Sequence, residues 1–138
     1  MDNQQKVFGY IDSHRREIVD FLKQMVSFPT INDGDSDGNE LPLQNFLAEK
    51  LKEEQFDRVV TTRKSTGGGR SLAFNGHSDV VPISYPERWL CEPFTPTEVD
   101  GKLYGRGTSD MKGGLAAAYF AIKAIRDSGL KLKGDVVF

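Results

Sequence analysis

The chain of 138 residues has 18 lysines and arginines against 20 aspartates and glutamates, and 38% of its residues are hydrophobic. The resulting net charge of −2 argues against a nucleic-acid surface or an anionic membrane as partner. No apolar run approaches the roughly 18 residues of a membrane span, and the polar start Met1-Asp2-Asn3-Gln4-Gln5 does not read as a signal peptide. The length suits one domain with its own core. Cys91 is the only cysteine, so no internal disulfide can form and a reducing cytoplasm is the expected setting. Only Arg88 lies near it as a basic neighbour, so it reads as a packed thiol, not a nucleophile.

In chain order, Val7, Ile11, Ile18, Leu22 and Met25 recur at helical spacing, which predicts one amphipathic helix over residues 7–26. His14 falls among its charged residues and is read as solvated. Phe28-Pro29-Thr30 stops the helix. Residues 32–39 alternate acidic positions like a calcium loop, but Gln44 stands where the bidentate glutamate belongs, so an exposed acidic loop is expected. Asn39 is placed to cap a second helix with Pro42 in its first turn and Leu43, Phe46, Leu47 and Leu51 on its buried stripe. Residues 56–64 are rich in Val and Thr and read as a strand. A short glycine-rich link joins it to a buried strand at 71–74, which predicts an antiparallel hairpin. Its three glycines read as a flexible turn, since no helix start follows to make a phosphate nest.

Asp100-Gly101 predicts a small hairpin over residues 98–104. A helix then runs to about Asp127, closed by Ser128-Gly129. Leu115, Ala118, Tyr119, Ile122 and Ile125 are its apolar positions, and Lys112, Lys123, Arg126 and Asp127 are its solvent-facing ones. Gly134–Phe138 begins a strand, and the order strand, helix, strand implies a parallel pair and an α/β fold.

Two stretches carry chemistry. Asn75-Gly76-His77-Ser78-Asp79 follows a strand, so His77 and Asp79, two positions apart, point to the same side just past its carboxyl end. This suits a metal-bound imidazole oriented by a carboxylate. A turn with solvated polar residues is the competing reading. Gly105-x-Gly107-x-x-Asp110 at a strand-to-helix turn invites a nucleotide, but a carboxylate there repels phosphate and attracts a cation. Asp110 has two oxygens and can bridge two metals about 3.5–4 Å apart; alternatively it is a helix cap.

Taken together, Leu72–Pro82, then Trp89, Pro93-Phe94 and Asp100–Gly114 resemble the di-zinc metallopeptidase family of acetylornithine deacetylase, succinyl-diaminopimelate desuccinylase, aminoacylase and glutamate carboxypeptidase. The resemblance implies a three-layer α/β/α catalytic domain with a mixed, mostly parallel sheet, of which residues 1–138 form the amino-terminal part. It makes His77 a ligand of one zinc, Asp79 the catalytic carboxylate that holds and tunes that imidazole, and Asp110 the bridging ligand. The peptide after Asp110 is expected to be cis. Two zinc ions per complete site are implied, with cobalt as a substitute, and the substrate is an N-acyl amino acid or small peptide. The family's general base, the first of two adjacent glutamates, is expected after the strand at Val136, beyond Phe138. The remaining ligands and the inserted dimerisation domain are also missing, so negligible turnover is expected of these residues alone and a homodimer of the complete protein. The alternative is a non-catalytic metal-binding or interaction module that keeps the fold.

Overall fold

A computed structural model describes residues 2–34, 39–56, 62–63 and 67–138. Helix α1 spans Asn3–Ser13 and α2 spans Arg15–Val26. The helix expected over residues 7–26 is therefore two, broken at His14, where φ is −109° and ψ 16°. Apolar spacing runs through the break and does not reveal it. Asp2 and Gln5 close a capping box on α1: Gln5 N donates to Asp2 Oδ1 at 2.7 Å and Asp2 N donates to Gln5 Oε1 at 3.1 Å. His14 is not simply solvated. Its ring stacks on Tyr10 with centroids 3.8 Å apart, and its Nδ1 lies 2.7 Å from Tyr10 O.

Helix α3, Leu41–Glu53, buries Leu43, Leu47 and Leu51 as expected and half-buries Phe46. Its cap is Glu40, not Asn39, with no side-chain hydrogen bond to the helix end. The acidic loop falls partly outside the described residues, as does most of the strand expected at 56–64, of which β1, Thr62–Arg63, is described.

The main sheet has strand order β1-β5-β2, where β2 is Leu72–Ala73 and β5 is Val136–Val137. The expected β1–β2 hairpin does not form, because β5 lies between them, antiparallel to β1 and parallel to β2. The link from residue 64 to 71 is long enough to cross one strand's width, about 5 Å on each side. The strand–helix–strand expectation holds: Leu72 faces Val136 and Ala73 faces Val137 in parallel register. The sheet is mixed, and the described part has one parallel and one antiparallel pairing. β2 is not buried as expected: Leu72 is 55% exposed, since β5 alone pairs with this strand among the described residues. Gly134 packs against the Arg70 carbonyl so closely that a Cβ would lie 1.7 Å from its oxygen.

Strands β3, Thr97–Val99, and β4, Lys102–Tyr104, form the expected hairpin. Asp100 and Gly101 both have positive φ, 49° and 73°, as the tight turn requires. Between β2 and this hairpin, the Arg106 guanidinium lies 4.8 Å over the Trp89 ring and donates to Pro82 O at 3.1 Å, tying down the intervening loop. Half-buried Cys91 has its thiol 3.6 Å from Tyr104 O.

Helix α4, Gly113–Asp127, is the centre of the core. Its Leu115, Ala116, Tyr119, Phe120 and Ile122 pack with Phe21 and Met25 of α2, the α3 leucines, Phe56 and Val136 of β5. Phe21, outside the spacing read from the sequence, stacks on Tyr119 at 4.6 Å and meets Phe120 edge-on at 5.6 Å. The residues expected to face solvent behave otherwise. Lys123 and Arg126 pair with Glu54, which is buried just past α3. Tyr119 Oη donates to the same carboxylate at 3.1 Å, and Tyr10 Oη donates to Asp127 at 2.9 Å. Ion pairing thus lets these charges leave water and cross-link α1, α3 and α4. No helix among the described residues is long and apolar enough to cross a membrane.

Lys112 departs furthest from its expectation, being 0% exposed. Its Nζ donates to Met25 O at 3.0 Å and Phe28 O at 2.8 Å, in the last turn of α2 and just past its end. Burial pulls its ammonium down from 10.5 to about 8. Between these values the unfolded chain holds the proton and the folded chain does not, so stability rises with pH. Urea unfolding should show wild type gaining on Lys112→Met from pH 8 to pH 10.5, by up to about 3 kcal/mol. A difference that stays flat across this window contradicts a buried lysine.

Candidate metal centre

The site forms where the chain leaving β2 meets the turn entering α4. His77 and Asp79 lie past the end of β2, and Asp110 lies in a kinked turn, Thr108–Lys112, before regular helix begins at Gly113. Asp110 is therefore not an N-cap; its φ of −126° and ψ of 101° are extended, and the Asp110–Met111 peptide is cis, as expected. Glycines permit the approach. A Cβ on Gly76 would lie 2.7 Å from Leu115 Cδ2 and 3.0 Å from Met111 Cε, and one on Gly113 would lie 2.3 Å from Thr108 O. His77 N donates to Met111 Sδ at 3.4 Å across the same junction.

All three residues singled out in the sequence come together. His77 Nδ1 lies 3.0 Å from Asp79 Oδ1 and 3.2 Å from Asp79 O, while Nε2 lies 3.1 Å from Asp110 Oδ1. Burial pulls the imidazole pKa down, but the hydrogen bond to Asp110 and the carbonyl and carboxylate of Asp79 outweigh it and hold it above its ordinary value. The sign is that of a group favouring its charged form: the contribution to stability is present at low pH and is lost as pH rises through the folded value.

The donor set fits a cation. When Nδ1–H is given to Asp79, the Nε2 lone pair faces a carboxylate oxygen, and only a positive centre makes that contact favourable. Two tetrahedral donors each about 2.0–2.2 Å from one zinc ion are themselves about 3.3–3.6 Å apart, slightly wider than the 3.1 Å from Nε2 to Oδ1. The Asp110 side chain is 88% exposed, leaving its second oxygen available. Among the described residues, no group of three or more His, Cys, Asp and Glu side chains converges to hold a metal ion by itself.

A second set of residues, not singled out in the sequence, anchors the His77–Asp79 segment. Thr30 is fully buried, and its hydroxyl donates to Ser78 O at 2.6 Å. Val80 N donates to Thr30 O at 2.8 Å and Asn32 N donates to Val80 O at 2.9 Å, flanking a parallel bridge between Ile31 and Val80. The Ser78 hydroxyl donates to Glu40. These partners are 38 to 50 residues away in sequence, so no local spacing announces them.

Comparison with known proteins accords with this geometry. Residues 73–138 match the family described as peptidase family M20/M25/M40. The chain is 34% identical over 140 residues to N-formyl-4-amino-5-aminomethyl-2-methylpyrimidine deformylase of Bacillus subtilis (strain 168), covering 92% of this chain and 32% of that protein. It is 39% identical over 113 residues to succinyl-diaminopimelate desuccinylase of Nautilia profundicola, covering 77% of this chain and 29% of that protein. The crystal structure of human carnosine dipeptidase 1 superposes with a TM-score of 0.88 at 27% identity, over 100% of this chain and 34% of the other. The chain therefore spans about a third of the length of the relatives it matches.

The glycine junction gives a direct test. Gly113→Ala forces the Thr108 carbonyl away and should cost about 1–3 kcal/mol in urea unfolding. Gly114→Ala meets only Met111 Cε at an ordinary 3.5 Å, and should be neutral or gain up to about 1 kcal/mol from helix propensity. Equal effects of the two substitutions would show that the approach is not as close as described.

Proposed function

This chain belongs to peptidase family M20/M25/M40, and on that premise we propose that it forms the amino-terminal part of the catalytic domain of a zinc-dependent hydrolase. The reaction is hydrolysis of an amide bond in an N-acyl amino acid or small peptide. The observation that carries this reading is the His77 imidazole held between two carboxylates, Asp79 behind it and Asp110 in front. Removal of a formyl group, removal of a succinyl group and cleavage of a dipeptide, the activities named for the relatives, share this chemistry.

Each residue has a separate task. Asp79 accepts the Nδ1 proton, which fixes the ring and leaves Nε2 as a neutral donor. His77 Nε2, and Asp110 with its exposed second oxygen, would hold the zinc ions. When bound, the zinc pair supplies acidification of water and polarisation of the amide carbonyl. The general base is assigned to residues following β5. Phe74 N donates to Val137 O in the parallel register, so residues continuing beyond Phe138 would run alongside Asn75 and then His77. In this reading the 138 residues alone give negligible turnover, the complete protein is a cytoplasmic homodimer, and residues 1–138 carry no dimerisation domain.

Zinc content and hydrolysis of N-formyl, N-acetyl, N-succinyl and dipeptide substrates test the proposal in the protein as naturally expressed. About two zinc ions per chain and hydrolysis of one substrate class are expected, both abolished by His77→Ala and by Asp110→Ala. Zinc binding without hydrolysis favours a non-catalytic metal-binding module, and full activity in either variant overturns the assignment.

A further inference from the structure

The carboxylate behind His77 has its own partner. Asp79 presents Oδ1 to the imidazole and Oδ2 to the Asn32 side chain, whose Nδ2 lies 3.5 Å away. The orientation of the Asn32 amide follows from its two neighbours. Gly34 N–H is a donor and lies 3.1 Å from Asn32 Oδ1, whereas the Asp79 carboxylate only accepts. One amide flip satisfies both, with the oxygen toward Gly34 and the NH₂ toward Asp79; the other flip opposes donor to donor and acceptor to acceptor.

The backbone that carries Asn32 is fixed relative to the site. Asn32 N donates to Val80 O at 2.9 Å, immediately beyond Asp79, and Val80 N donates back to Thr30 O at 2.8 Å. The buried Thr30 hydroxyl holds Ser78 O at 2.6 Å, immediately before Asp79. Residues 30–32 thus grip the main chain on both sides of Asp79, and Asn32 grips its side chain. Without that grip the carboxylate can rotate about its terminal torsion, which is broad for aspartate, and its bond to Nδ1 is no longer held in one direction.

We propose that Asn32 is a positioning residue of the metal centre, whose amide holds Asp79 Oδ2 so that Oδ1 receives the His77 Nδ1 proton and Nε2 stays directed at the cation. This rests on the reading of His77 and Asp110 as zinc ligands. Partners that orient a metal-bound histidine are typically worth about 10–100-fold in metal affinity, and Asn32 acts one bond further out, so an effect of about tenfold is expected. Asn32 is exposed, so substitution leaves the core untouched.

The test uses the naturally expressed protein loaded with zinc, measured in two ways: zinc affinity by competition with a chelator, and solvent exchange of the His77 Nδ1 proton by histidine-labelled NMR. Wild type should show a slowly exchanging Nδ1 proton. Asn32→Ala should bind zinc about tenfold more weakly and lose that protected signal. Asn32→Asp is the decisive variant, because it retains the acceptor for Gly34 N and replaces the donor to Asp79 with a second carboxylate that repels it. It too should lose the protected proton. If Asn32→Asp keeps wild-type exchange, or if Asn32→Ala leaves both measurements unchanged, the positioning role is wrong and Asn32 serves only its own loop. His77→Ala separates the two claims: zinc binding that survives it refutes the metal centre itself, whereas zinc lost in His77→Ala but undisturbed in the Asn32 variants refutes Asn32 alone.

Discussion

The site depends on how near the chain leaving β2 comes to the start of α4. A histidine and an aspartate 33 residues apart approach within 3.1 Å because Gly76 leaves no side chain between the two segments and Gly113 lets the Asp110 turn close on the Thr108 carbonyl. Met111 fills the remaining space and accepts the His77 amide on its sulfur. On the far side, Lys112 fastens the same turn to the end of α2 through two backbone carbonyls. Placing an ammonium there opposes folding through desolvation and is offset by hydrogen bonds to the Met25 and Phe28 carbonyls. The turn that presents Asp110 is thus clamped from both sides, by the end of β2 and the end of α2. A ligand constellation needs this rigidity to hold its geometry before a metal arrives.

Much of this was legible in the sequence, and the parts that were not share a cause. His77, Asp79 and Asp110 are marked by local context: a strand followed by Gly76, and a glycine-punctuated turn before an alanine-rich helix. The hairpin at Asp100-Gly101 and the parallel pairing of β2 with β5 follow from turn chemistry and element order. What local pattern misreads is anything decided by a distant partner. Lys112, Lys123 and Arg126 look solvent-bound until the α2 carbonyls and Glu54 are placed beside them. The link between β1 and β2 looks like a hairpin until β5 enters between them. The support from Thr30, Asn32 and Glu40 is likewise invisible without the tertiary fold.

The charged cluster around Glu54 and the cluster around His77 use similar residue types to different ends. Glu54 is buried and paired with two permanent cations and a tyrosine hydroxyl, so its charge is matched within the protein and stitches the end of α3 to α4. Around His77 the balance is left open. Two carboxylates converge on one imidazole, and Asp110 is largely exposed. In the proposed function, this surplus of acceptors over protein-borne positive charge is matched by a cation from outside.

In the proposed metal centre one cation lies between His77 and Asp110. Crystals of the naturally expressed protein grown with zinc, with diffraction recorded on both sides of the zinc absorption edge, would test it most directly. An anomalous peak is expected about 2.0–2.2 Å from His77 Nε2 and from an oxygen of Asp110, with Nδ1 still bonded to Asp79. Zinc at full occupancy elsewhere, with His77 and Asp110 left bonded only to each other, would contradict it.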